Sequence, residues 1–459
     1  MARDIIAVFD IGKTNKKILL FDRRLKLLLQ EEQQFEECLD EDGFPCDDIV
    51  KIENWIITRI SQIARSREYD LRAINFATYG ASLVYLDSNG RRLAPVYNYL
   101  KPMPGDVLAG FYERYGGIEE FSRNTASPAL GMLNSGLQIL WLKKHKPGLF
   151  GQVHTILHFP QYLSFLISKE FRSEFTSIGC HTAMWDFDNK CYHPWLAGEG
   201  IVLPVPVTAN ETTELSLDGK KILIGIGIHD SSSSLVPYLK GSPEPFILSS
   251  SGTWCIFMNP FNQEPLTLDQ LQQDALCYLG TNQNMVKSSR FFMGHIHDVY
   301  TRQITSFFNQ EAGSFKRIQG DEGLLKKFLE EPAVFTREQC EGNQCPSVDL
   351  SVFASFGEAY HKLIVDLTMK GIKSLQLVIP ENDMTKRIYV TGGFARNELF
   401  MRLLSALLPG KTVYASTMDN ATALGAAMVL WNKVFPGNEP EADLGLKEIE
   451  PLYLSYAIH

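Results

Sequence analysis

Twice in this chain an apolar run enters a short turn of glycine and hydroxyl residues and leaves it as a second apolar run. The first copy is "FDIGKTNKKILLFD" (9–22) and the second is "FILSSSGTWCIFMN" (246–259). Short apolar runs bounded by turn residues read as strands, so the first copy predicts strands Ile5–Phe9 and Lys17–Phe21. A chain whose two halves both open with this unit can fold as two related lobes, with the turns facing a shared cleft. Elsewhere strand-like runs alternate with helical patterns, which is α/β layering. "DDIVKIENWIITRISQIARS" sets Ile49, Ile52, Trp55, Ile56, Ile60 and Ile63 on one helical face. "VFASFGEAYHKLIVDLTMKGIKSL" carries Val352, Phe356, Leu363, Leu367 and Leu375 near helical spacing. "LRAINFATYGASLVYLD" repeats the strand–turn–strand idea with Ala73–Ala77 and Leu83–Leu86, and "PYLKGSPEP" reads as a linker.

The partners are narrowed by charge. The net charge is −9 with no dense Lys/Arg run, which speaks against nucleic acid. Asp4 and Asp10 interrupt the first apolar run, so no signal peptide is expected. No apolar stretch approaches the roughly 20 residues that span a bilayer. Of eight cysteines, Cys340 and Cys345 are the only close pair in sequence, with no second pair at zinc spacing. A cytoplasmic chain with reduced thiols is expected, working as a monomer or homodimer.

The turns suit phosphate. Phosphoryl transfer asks a protein mainly for position and for charge stabilisation around the transferred group. Gly, Ser and Thr turns bring N–H and hydroxyl donors close to phosphate oxygens. In the first turn Gly12 permits the tight bend, Thr14 and Asn15 can donate, and Lys13, Lys16 and Lys17 bring positive charge. Asp10 at the strand end can hold Mg²⁺, through water. In the second turn Gly252 and Thr253 play the same part, and Gly392 and Gly393, ahead of Asn397, let a flat ring approach the backbone. In "GIGIHDSSSSLV" an apolar run, Ile222–Ile228, stops at His229, Asp230 and four serines. Asp and Ser lead the N-cap preferences, so capping is one reading, and a catalytic base aimed at a substrate hydroxyl is the other.

In this order, these segments resemble the FGGY family of carbohydrate kinases, from residue 4 to about 431. "FDIGKTNKKILLFD" and "SSSGTW" resemble the family's two phosphate motifs, and "YVTGGFARNELFMRLLSALLPGKTVYASTMDNATALGAAM" its adenosine segment. "IGIHDSSSSLV" resembles the segment with the catalytic aspartate, and the wording is nearest to rhamnulokinase-like members. The resemblance implies a two-lobed actin-like ATPase (ribonuclease H-like) α/β fold with ATP and sugar in the cleft. It implies a sugar-binding lobe over 1–241 and an adenosine-binding lobe over 242–459. It makes Asp230 the general base, with Tyr79, Gly80, His229, Ser231 and Arg290 beside the sugar. ATP would meet Gly12 to Lys17, Gly252, Thr253, Gly392, Gly393 and Asn397, with Mg²⁺ at Asp10. The expected substrate is a small ketose, a deoxy-ketohexose such as L-rhamnulose or L-fuculose ahead of a pentulose. An inactive actin-like ATP-binding module is the competing class.

The chain departs from the family pattern at three places. Lys13 replaces a small hydroxyl residue, and either pairs with a phosphate or points to solvent. "RFFMGHIHDVY" puts Phe291 where a polar residue is usual, and its His295, His297 and Asp298 are poorly spaced for a metal. Tyr79 replaces tryptophan and offers a hydroxyl to the sugar. Trp141, Trp185 and Trp195 are read as packing residues, and "EEQQFEE" as a solvated face.

Overall fold

The computed structural model describes residues 2–217, 219–335, 348–437 and 440–453. Cys340 and Cys345 lie outside these residues. The first repeat forms β1 (Arg3–Ile11) and β2 (Lys16–Asp22), antiparallel, with β3 (Leu27–Gln33) beyond β2. On the other edge of β1 lies parallel β4 (Tyr69–Thr78), followed by β6 (Lys220–Gly225) and antiparallel β5 (Thr212–Leu217). A short β7 (Ile228–His229) also pairs with β4.

The second repeat builds a sheet of the same plan. Antiparallel β8 (Phe246–Ser251) and β9 (Cys255–Asn259) are extended by β11 (Met285–Phe291) and β10 (Ala275–Leu279). Parallel β12 (Arg387–Gly392) flanks β8 and leads to β13 (Thr412–Ser416) and β14 (Leu446–Glu448). Each lobe thus carries its turn at the end of a central strand held between an antiparallel and a parallel neighbour. That placement follows from the sequence: β1 and β8 are apolar on both faces and can only be buried.

Helix α1 (Ile49–Ala64) packs its isoleucine face on the first sheet. Helix α2 (Asp230–Gly241) leaves β7 directly, so the linker reading of "PYLKGSPEP" is corrected. The chain stays helical through Pro237, whose missing N–H leaves the Ser233 carbonyl uncovered. Gly425 of α6 (Ala421–Val434) fills that place, since a β-carbon on it would stand 1.9 Å from the Ser233 oxygen. Helix α6 lies against β1, β4 and α2, and Asn75 Nδ2 donates to its Ala426 carbonyl at 2.8 Å. A helix from the end of the chain therefore packs on the first lobe's sheet.

Leu83–Leu86 forms the strand expected of it and pairs antiparallel with Thr155–His158, after a left-handed Ala81. One further reading is corrected. The long helix begins at Phe356, capped by Ser355, and leaves Val352 exposed. Cys38 and Cys46, eight residues apart, face each other across a short ladder with their sulfurs 3.5 Å apart. Trp141, Trp185 and Trp195 are buried, and β3, which holds the start of "EEQQFEE", is largely open to solvent.

Candidate active site

The first turn closes by a hydrogen bond from the Gly12 N–H to the Asn15 carbonyl, 2.9 Å. Thr14 stands exposed at its tip, while Asn15 Oδ1 accepts from Gln34. Asp10 pairs across the ladder with Lys17. Lys16 points the other way and is buried. Its Nζ donates to the Lys13 carbonyl at 2.7 Å and to Asp47 Oδ1 at 2.8 Å. This corrects the phosphate role expected for Lys16: the ammonium is spent underneath the turn, bracing it. Lys13 takes neither course foreseen for it. Its Nζ lies 2.9 Å from Asp47 Oδ2 and 2.9 Å from Glu37 Oε1. Tyr79 donates its hydroxyl to Asp47 Oδ2 at 2.6 Å, so that hydroxyl is not open to a sugar. Burial alone would raise the Asp47 carboxyl; bonds from Lys16, Tyr79 and Lys13 outweigh it and hold the group below the ordinary range.

Asp230 opens α2 just after β7, with a third of its side-chain surface still reaching solvent. Burial of the rest pushes its carboxyl up to about 6. Asp10 is pushed up to about 7, by burial and then by the Asp230 charge, with Lys17 opposing. The two carboxylates and Lys17 therefore share one electrostatic neighbourhood. Asp230 Oδ1 accepts from the N–H and hydroxyl of Ser231 and stands 3.3 Å from His229 Nε2. His229 also approaches Cys180 Sγ at 3.4 Å, and burial lowers its imidazole to about 4, so it is neutral. A β-carbon on Gly80 would meet the His229 ring at 3.1 Å, which keeps that turn flush against the imidazole.

The serines after Asp230 are not caps, contrary to the simpler reading. Ser232 donates to the Leu279 carbonyl of the second sheet, Ser233 to Thr422 and Ser234 to Ser231. They tie α2 to its surroundings, leaving Asp230 as the acid of the segment, partly open to solvent.

The second turn closes from the Gly252 N–H to the Trp254 carbonyl, 2.9 Å. Helix α3 (Met293–Phe307) presses on it so closely that a β-carbon at Gly294 would lie 2.3 Å from the Gly252 oxygen. Gly392 has φ +85° and lies equally close to Ser251, a place only glycine fills. Beyond it, Asn397 caps α5 (Glu398–Ala406) by accepting from Phe400 N–H. Asn397 Nδ2 donates to the Tyr360 hydroxyl at 2.9 Å, and that hydroxyl is 3.2 Å from His297 Nε2. A cavity of about 570 Å³ is lined by Gly252, Thr253, Gly294, Tyr360, Gly393 and Asn397. Four residues expected at the nucleotide, 145 positions apart at the extremes (252 to 397), thus share one wall.

Arg290 on β11 stacks its guanidinium 5.1 Å over Trp254 and lies 3.7 Å from Asp274. Phe291 is buried in the second lobe's core and is not a ligand. His295 stacks on Phe292 at 4.4 Å, and among the described residues no group of three or more His, Cys, Asp or Glu could hold a metal. The sequence reading missed Asp47 and Tyr360, each brought to its turn from far along the chain with no local signal; His297, weighed there only as a metal candidate, instead meets the Tyr360 hydroxyl. Among the described residues no helix is long and apolar enough to cross a membrane.

Known proteins match this arrangement along the whole chain. Residues 5–204 match the N-terminal domain of the FGGY family of carbohydrate kinases, and residues 243–439 match the carbohydrate kinase FGGY C-terminal domain. A rhamnulokinase from Oceanobacillus iheyensis is 26% identical over 92% of this chain and 91% of its own. An L-fuculokinase from Salmonella typhi is 23% identical over 96% of this chain and 95% of its own. In fold, the chain is similar to a carbohydrate kinase from Novosphingobium aromaticivorans (TM-score 0.80, 24% identity, 99% and 96% covered). It is similar also to a ligand-bound xylulose kinase from Lactobacillus acidophilus (TM-score 0.77, 16% identity, 98% and 94% covered). With its two-lobed actin-like fold and both family domains in place, the chain belongs to the FGGY family of carbohydrate kinases and is an ATP:sugar phosphotransferase.

Proposed function

We propose that this kinase phosphorylates a small ketose of the rhamnulose or fuculose type, with Asp230 as general base, residues 1–241 as the sugar lobe and 242–459 as the adenosine lobe. The observation that carries the reading is the Asp230 carboxyl placed just after β7, a third of its side chain open to solvent and close enough to Asp10 for its charge to act there together with Lys17. A base works best when its pKa lies near the working pH, and burial brings Asp230 toward that range. Neutral His229 and the Gly80 turn frame the space in front of it.

The residues present fit ATP and Mg²⁺. Asp10, raised by burial and further by the Asp230 charge, would be relieved by a nearby dication, so Asp10 is the residue to hold Mg²⁺, in part through water. ATP supplies the γ-phosphoryl group; Lys17, the first turn and Thr253 orient its phosphates, and Gly393 and Asn397 border the adenosine. Asp230 takes the proton of the attacking sugar hydroxyl as the hydroxyl oxygen bonds to the γ-phosphorus and the bond from that phosphorus to the bridging oxygen breaks, releasing ADP. The two rhamnulo- and fuculokinase relatives support a deoxy-ketohexose.

The test is ADP release from Mg-ATP across ketohexoses, deoxy-ketohexoses, pentuloses and polyols. A deoxy-ketohexose should give the highest kcat/KM. Preference for a pentulose would overturn the substrate class, and no sugar-dependent release would overturn the kinase reading.

A further inference from the structure

His181 is a residue to which neither motif nor resemblance assigns a role. Its backbone has φ +41°, in the left-handed region that costs a side chain steric strain and glycine nothing. That conformation is enforced from outside: Asn134 Nδ2 donates to the His181 carbonyl at 2.9 Å, and Gly136 N–H to the Thr182 carbonyl at 2.8 Å. The facing Tyr79–Ala81 turn is left-handed as well, at Ala81. Strained positions of this kind concentrate where a fold positions groups for function.

The imidazole lies in the space the previous reading gives to the sugar. A β-carbon on Gly80 would meet its Cε1 at 3.9 Å and the His229 ring at 3.1 Å. His181 Nδ1 is buried and makes no well-formed hydrogen bond, an uncommon state for a buried ring nitrogen. Burial, with the nearby His229 and then Arg290, lowers its pKa to about 4 against weak contacts from its own backbone and that of Leu133, so the ring is neutral. The loop that carries it is stitched to the other lobe: Cys180 bridges to Tyr278, and Leu279 N–H donates to the Gly179 carbonyl at 3.0 Å. His181 thus sits where the sugar turn, the Asp230 segment and the second lobe meet.

We propose that His181 is a specificity-determining residue that hydrogen-bonds a ketose hydroxyl remote from the one phosphorylated. The assignment rests on the reading of this cleft as the sugar site. A neutral imidazole offers one N–H and one bare nitrogen and carries no charge, a match for an uncharged hydroxyl, so the ligand group is a hydroxyl of a neutral polyol.

His181→Gly and His181→Asn separate the side chain from the backbone. Glycine relieves the left-handed strain but deletes the ring; asparagine tolerates the conformation and keeps a hydrogen-bonding end. The expected result is that His181→Gly melts at or above the wild-type temperature. Its kcat/KM for the sugar falls about 10- to 100-fold, the scale of one lost hydrogen bond to a buried group. Its KM for ATP stays within about twofold, and His181→Asn recovers part of the loss. Among deoxy analogues, the one lacking the contacted hydroxyl should be turned over equally by wild type and His181→Gly. Unchanged sugar kcat/KM in His181→Gly would overturn the assignment, as would a lower melting temperature with both KM values raised together. A wild-type enzyme without sugar-dependent ADP release would remove the sugar site itself, and is told apart from these by needing no variant.

Discussion

Replacing Asp47 by alanine strips the counter-charge from an ammonium that has no route to water. Lys16 is 1% exposed, and its Nζ rests on Asp47 Oδ1 at 2.8 Å. Removing one partner of a buried pair typically costs about 3–5 kcal/mol. Lys13 retains Glu37 at 2.9 Å, but the Tyr79 hydroxyl loses its acceptor. For a lobe of about 200 residues this corresponds to roughly 6–20 °C in melting temperature. Calorimetry on Asp47→Ala should show that loss. Asp47→Ala with Lys16→Met, which deletes both charges, should regain at least half of it. Because Lys16 also holds the Lys13 carbonyl, the single variant should raise KM for ATP more than KM for the sugar. A melting temperature within about 2 °C of wild type, or a double variant no better than the single, would refute the buried-pair account.

The acid pair sets the pH response. Folded pKa values of about 6 for Asp230 and about 7 for Asp10 exceed the ordinary aspartate value of 3.8, so the folded chain binds more protons than the unfolded one between pH 4 and 7. Their contribution to stability is present below about pH 4 and is lost as pH rises through 7, the reverse of an ion-paired acid. In activity, the acidic limb of kcat/KM for the sugar should fall near pH 6; a limb near pH 4 would contradict it. Gly425→Ala would place a carbon against the Ser233 carbonyl, where backbone cannot yield, and should lower the melting temperature by several degrees; an unchanged value would show the helices to be looser than described. Tyr360→Phe removes the hydroxyl that receives Asn397 and should raise KM for ATP about 3- to 10-fold with sugar KM unchanged; an unchanged KM for ATP would detach that hydroxyl from the nucleotide cavity.

The lobes were legible because their central strands are apolar on both faces and their turns are short, so chain order carries the topology. The α6 crossing rests on small residues, with Gly425 at the closest point. Pro237 misled because prolines mostly end helices, whereas here a glycine from α6 covers the carbonyl that the proline leaves free. Lys16 and Tyr79 misled for one reason. Asp47 lies 31 residues beyond Lys16 and 32 before Tyr79, and neither partner has a local mark of it. His181 is invisible in sequence, since a left-handed histidine has no pattern of its own.

The most direct measurement is sugar-dependent ADP release by Asp230→Asn beside wild type, at saturating Mg-ATP and sugar. Asparagine keeps the size of the side chain and its bond from Ser231 but cannot take a proton. The account predicts a fall in kcat of at least about 10²-fold, the lower end of what a general base supplies, with KM for ATP little changed. A variant that keeps kcat within a fewfold of wild type would contradict Asp230 as the base.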